Sequence, residues 1–118
     1  MHTVHNSCTT WLGTRDDITG FARITDSDTN AQFAVTFRGE SAPATDHVVT
    51  ALDPDYRWAL VVDPARTAGF VLSREPAPDA GQWSAIRAGI DAAGMDACLL
   101  LTSPVSDGFD GIEPLCVR

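Results

Sequence analysis

The sequence predicts an all-β fold, an antiparallel meander of about six or seven short strands with one C-terminal α-helix packed outside them. Three observations carry this. In residues 31–37, Phe33, Val35 and Phe37 alternate with Gln32, Ala34 and Thr36, the two-residue period of a half-buried antiparallel strand. Two apolar runs end in Asp-Pro turns, Leu52-Asp53-Pro54-Asp55 and Val62-Asp63-Pro64-Ala65, and connections this short favour neighbouring strands. Helical spacing is convincing in one stretch, from about Ala80 to Ala93.

Taken in order, Val4–Cys8 is the first strand-like segment. Gly20–Asp26 is the second, with Ala22 and Ile24 set to face the same interior as Phe33, while Arg23 and Thr25 occupy the alternate positions. Asp26-Ser27-Asp28-Thr29-Asn30 is rich in turn formers and predicts the hairpin leading into 31–37. Its Asp26-x-Asp28-x-Asn30 spacing is that of an opening calcium loop, but the sharp-turn glycine is absent and Phe37 stands where the closing Glu belongs. Gly39–Asp46 reads as a polar loop, and Val48–Leu52, Trp58–Val62 and Phe70–Leu72 as three further strands. The helix has Asp79 to cap its first turn, Gln82 to reach back, and Gly94 to end it; Trp83, Ile86 and Ile90 fall on one side. Cys98–Thr102 is one more apolar run before a Gly- and Asp-rich tail.

Composition bounds the function. A chain of 118 residues, 44% hydrophobic and without a repeat, is expected to form a single domain over 1–118. The net charge is −8 and there is no Lys, so nucleic acid and anionic membrane surfaces are unsuitable partners and Schiff-base chemistry is excluded. No apolar run approaches the roughly 20 residues of a transmembrane helix. Met1-His2-Thr3-Val4-His5 leads straight into strand-like sequence without a charged and apolar leader, which sets the expectation of a cytoplasmic protein. His2, His5 and Cys8 are spaced by three, and on a strand that step alternates faces, so no metal site and no cofactor is expected. His47, Tyr56 and Trp58 lie near strand ends. His47 has a side chain suited to acid–base work, but no carboxylate or nucleophile is positioned with it, and no catalytic residue is assigned.

The block Leu52-Asp53-Pro54-Asp55-Tyr56-Arg57-Trp58-Ala59-Leu60-Val61-Val62-Asp63-Pro64, followed by Phe70-Val71-Leu72-Ser73-Arg74-Glu75-Pro76, resembles the bacterial lipocalin family pattern LDPDYxWALVxDPxRxxxxILSRxP. Upstream, Gly20–Asp26, Asn30–Phe37 and Val4–Cys8 are similar to its G-x-A-x-V-x-D, N-A-x-L-x-V-x-F and V-x-N-x-C strands. The family's opening Gly-x-Trp-Tyr strand and the strand after it have no counterpart in this sequence, so the resemblance implies a partial lipocalin β-barrel. It also implies binding of a small hydrophobic ligand, a fatty acid, lysophospholipid or similar apolar metabolite. The expected lining is Ile24, Phe33, Val35, Phe37, Val49 and Trp58, with the facing of the last two left open. The alternative is a lipocalin-like cyclase or isomerase acting on an apolar biosynthetic intermediate.

A sheet of about six strands left open has two edges and an exposed interior, which predicts a symmetric homodimer; strands supplied by another polypeptide are the other possibility. Phe21, Ala68 and Gly69 depart from the family in a way that suits a subunit contact or surface drift. The family's Arg after the last barrel strand covers the opening Trp. Here Arg74 is left with Trp11, a partner's aromatic or solvent. The wider superfamily implies Cys8 with Cys116 as the pairing to consider, although a cytoplasmic chain would keep its thiols reduced.

Overall fold

The structure, a computed structural model, describes residues 2–9, 12–25, 28, 31–37, 45–108 and 111–118, the side chains of His2, Cys8, Phe37 and Thr45 excepted. Six strands, β1 (His2–Thr9), β2 (Arg15–Ile24), β3 (Gln32–Phe37), β4 (Thr45–Leu52), β5 (Trp58–Val62) and β6 (Gly69–Ser73), hydrogen-bond in chain order, and the helix α1 (Ala80–Ala92) follows. This is the antiparallel meander with one helix that the alternation and short turns dictate. The chain divides into two compact units, Met1–Val48 and Val49–Arg118.

In the first unit the register puts Val4 opposite Gly20, Ala22 opposite Val35, Ile24 opposite Phe33 and Phe33 opposite His47. Residues directly opposite share a face, so Val4, Ile18, Gly20, Ala22, Ile24, Phe33 and Val35 form one apolar side, on which Ala22 and Val35 are buried. The Thr25 amide donates to the Gln32 carbonyl at 3.0 Å and closes the predicted hairpin, whose residues 26, 27, 29 and 30 lie outside those described. The opposite face is more polar, with Phe21 and the buried Ala34 as its apolar members; on it Arg15 Nε and His5 Nε2 stand 3.0 and 3.4 Å from Asp17 Oδ1, an exposed cluster that contributes little stability.

The second unit is built on β5, whose residues are apolar throughout because both faces are covered. Each Asp-Pro turn uses one device. The Asp amide donates to the residue that ends the turn, a backbone amide three residues on donates to the Asp carbonyl, and Tyr56 (φ 58°) or Arg66 (φ 59°) takes the left-handed conformation. The carboxylate then fills the turn's interior: Asp53 accepts from the Asp55 and Arg57 amides, both at 3.1 Å, and Asp63 from the Thr67 and Ala68 amides at 2.7 and 3.0 Å. That accounts for the recurrence of Asp before Pro at both ends of β5.

Helix α1 starts as the sequence predicts. The Gln82 amide donates to Asp79 Oδ1 at 2.8 Å, the Asp79 amide to Gln82 Oε1 at 2.9 Å, and Gly94 (φ 77°) ends the helix. Ile86 and Ile90 are wholly buried with Leu60, and Ala93, Ala97 and Leu115 complete the core. At Gly89 the helix backbone comes so close to β4 and β5 that a methyl group would stand 3.1 Å from Ala51 Cβ and 3.6 Å from the Trp58 ring. The helix therefore covers the Trp58 face of β5, and Leu52, Phe70 and Leu72 remain exposed.

Two short 3₁₀ turns, Ala97–Leu99 and Leu115–Val117, finish the chain, and Leu101 bridges to Pro114 between them. This return path brings Cys98 to Cys116, which form a disulfide with a Cα–Cα distance of 4.8 Å. Two expectations are corrected: Cys116 is bonded to Cys98 and not to Cys8, and the two thiols are oxidised. The run Cys98–Thr102 is a turn followed by a single bridge, not a strand.

Candidate functional site

Two apolar surfaces stand out, one in each unit. In the first, β2 and β3 bring Ile24, Phe33 and Val35 onto one face, with Ile24 still 36% exposed and Val35 buried. His47 joins that face from β4, opposite Phe33 and half-buried. Phe37 ends β3 opposite Gly20, and its side chain lies outside the described residues.

Of the other two expected lining residues, Val49 is half-buried in β4 at the start of the second unit. Trp58 is 6% exposed with its ring under Gly89 of α1, and its buried Nε1 has no hydrogen-bond partner among the described residues. It also borders a small cavity of about 280 Å³ with Leu52, Ala59 and Leu72.

The larger cavity, about 650 Å³, lies in the second unit between β6, α1 and the C-terminal return. Phe70, Val71, Ile86, Leu100 and Leu115 give it apolar walls, and Ser73, Arg74, Thr102 and Ser103 add a few polar groups, the usual make-up of a small-molecule site. Leu99 and Leu101 also line it while 80% and 59% exposed, so the cavity opens to solvent on that side. The disulfide holds the two turns from which Leu99 and Leu115 project. None of these cavity residues was among those expected. The signal available was the apolar triplet Leu99-Leu100-Leu101, too long for a loop that faces only water.

Charged groups around these surfaces are occupied structurally. Arg74 donates its amide to the Arg57 carbonyl and its Nε to the Tyr56 carbonyl at 2.7 Å; it is exposed, and Trp11 lies outside the described residues. The cation–π contact that is formed sets Arg118 5.8 Å from the Trp83 ring centroid, while Arg118 also binds Glu113 at 2.6 Å. Hydrogen bonds from the Arg57 side chain hold the Asp53 carboxyl down at about 2. The Thr67 hydroxyl and the Ala68 amide lower that of Asp63. Among the described residues no three His, Cys, Asp or Glu are grouped to hold a metal ion, and no helix is long and apolar enough to cross a membrane.

Residues 2–105, which include all six strands and α1, match the family model of a lipocalin-like domain. No curated protein matched the chain.

Proposed function

Because the chain belongs to the lipocalin-like domain family, we propose that it binds a small hydrophobic molecule, a fatty acid, lysophospholipid or similar apolar metabolite. The single observation that carries the reading is the 650 Å³ cavity with apolar walls and few polar groups. The apolar face of the first unit, with Ile24, Phe33, Val35 and Phe37, is a second surface that suits such a ligand, and in the second unit Val49 and Trp58 are the expected contacts, Trp58 beside the small cavity, while none of the six lines the 650 Å³ cavity. On this reading the protein works as a homodimer, and a cytoplasmic location would require the Cys98–Cys116 disulfide to persist in a reducing compartment.

Native mass spectrometry of protein purified from its host tests this directly, since a retained apolar molecule and the oligomer mass are read together. An environment-sensitive apolar dye should bind saturably. Val35→Arg abolishes that binding if the first unit's face is the site, and Leu100→Arg, at a half-buried wall position, abolishes it if the cavity is, because each sets a charge among apolar groups. A folded protein that retains nothing and binds no dye saturably overturns the proposal.

A further inference from the structure

Every residue that the C-terminal return lends to the 650 Å³ cavity, from Leu99 to Val105 and again at Leu115, lies within the loop that the Cys98–Cys116 disulfide closes. The rest of that loop's anchorage is slight. Its two arms meet at one bridge, Leu101–Pro114, with the Leu115 amide donating to the Leu100 carbonyl at 2.8 Å and the Thr102 amide to the Glu113 carbonyl at 2.9 Å. A two-stranded pairing this short is marginal in water by itself. Leu115 is buried in the core, whereas Leu99, Leu101, Val105 and Ile112 are between 45% and 80% exposed. Few buried apolar contacts and a short run of backbone hydrogen bonds are the marks of a segment that opens locally. Leu60, Ile86 and Ile90, the wholly buried side chains, stand on β5 and α1, outside the loop.

We propose that the Cys98–Cys116 bond is a redox latch on the cavity: oxidised, it keeps the Leu99–Leu115 wall in place and the apolar ligand held; reduced by a dithiol, it lets the wall open and the ligand leave. The inference rests on the binding reading of this cavity and adds the control of it. Cys98 is exposed and Cys116 half-buried, so exchange has a surface sulfur to begin at, and exposed disulfides are the readily reduced ones.

The exchange balances in two steps. A thiolate of the dithiol attacks Cys98 Sγ, the bond to Cys116 Sγ breaks, and Cys116 leaves as a thiolate that takes up a proton. The second thiolate of the reductant then attacks its own sulfur in the mixed disulfide and releases the Cys98 thiolate, which is protonated in turn. The protein gains two electrons and two protons, and the dithiol ends as a disulfide. Exchange with an oxidised dithiol runs the same steps backwards and closes the latch.

The test uses a Cys8→Ser background, so that no third thiol exchanges, and the neutral apolar dye Nile red. Oxidised protein should bind the dye saturably and lose that binding in Leu100→Arg, which locates the dye in the cavity. Dithiothreitol should weaken binding by about tenfold or more, since a wall in place one-tenth of the time raises the apparent Kd by that factor, and reoxidation should restore it. Hydrogen exchange distinguishes a latch from a general staple: on reduction the Thr102 and Leu115 amides should lose protection while those of β5 and α1 keep theirs. Unchanged dye affinity, or unchanged protection at Thr102 and Leu115, overturns the latch and leaves the binding reading standing. Loss of protection throughout β5 and α1 overturns it as well, because the bond then holds the whole unit. Oxidised protein that binds no dye, or binds it equally in Leu100→Arg, overturns the cavity as the site and the latch with it.

Discussion

Arg57 grips Asp53 with one edge of its guanidinium, Nε to Oδ2 at 2.9 Å and Nη2 to Oδ1 at 3.1 Å, while the same carboxylate accepts two backbone amides. Asp53 is 4% exposed and Arg57 half-buried. The turn that delivers Trp58 into the core thus depends on an anion that stays ionised. Thr67 plays the corresponding part for Asp63, with a hydroxyl at 2.6 Å.

The Asp53 carboxyl titrates at about 2 in the fold against 3.8 for the unperturbed group. A lowered folded value contributes stability above the unfolded value, lost as pH falls through the folded one. Stability should therefore decline between pH 4 and pH 2. Asp53→Asn should lower Tm at pH 7 and flatten this decline; thermal melts of both proteins across that range provide the check. An undiminished acid transition in the variant would assign it to other carboxylates.

The Cys98–Cys116 disulfide closes a loop with a sequence separation of 18. Loop-closure entropy for that length amounts to about 3 kcal/mol, so Cys116→Ser or full reduction should destabilise the protein by roughly that much in denaturant melts. The bond also holds the turns that carry Leu99 and Leu115, and dye affinity for the cavity should fall with it. Alkylation of the two cysteines before purification from the host reads their native redox state, and with it the compartment, since cytosolic thiols are kept reduced.

Gly89 is where α1 lies directly on Ala51 and Trp58. Gly89→Leu adds a side chain where even a methyl is crowded, and should cost about 1–3 kcal/mol by urea melt despite the better helix propensity. Trp58 fluorescence should change together with stability. A neutral or stabilising result would mean that the helix can lift from the sheet at little cost.

Local signals made much of this fold legible. Trp58–Val62 and the Asp79–Gln82 cap need only neighbouring residues to declare themselves, and the structure reproduces both. The first half of β2 was missed because Arg15-Asp16-Asp17 carries no apolar alternation; backbone pairing with β1 makes it a strand. Cys98 meets Cys116 because Thr102 accepts the Glu113 amide and donates to the Gly111 carbonyl, folding the tail back on itself. No periodicity records a contact of that kind. The cavity is likewise made by distant segments, so Leu100 and Leu115 could not be paired from spacing alone.

His47 is the residue on which a catalytic reading would turn, because the β3–β4 register sets it opposite Phe33 on the apolar face. Imidazole is the side chain best able to move a proton near neutral pH. His47→Gln keeps size and hydrogen bonding while removing titration. For a binding protein, ligand or dye affinity should then stay within a few-fold of the wild type between pH 5 and 8, as a titration at several pH values would show. An acid–base enzyme would instead lose roughly 10²-fold or more in turnover, so incubation of both proteins with fatty acids and phospholipids, followed by product analysis, separates the two cases. Unaltered lipid is the expected outcome. A chemically changed product made by the wild type and lost in His47→Gln would replace the binding function with catalysis at this face.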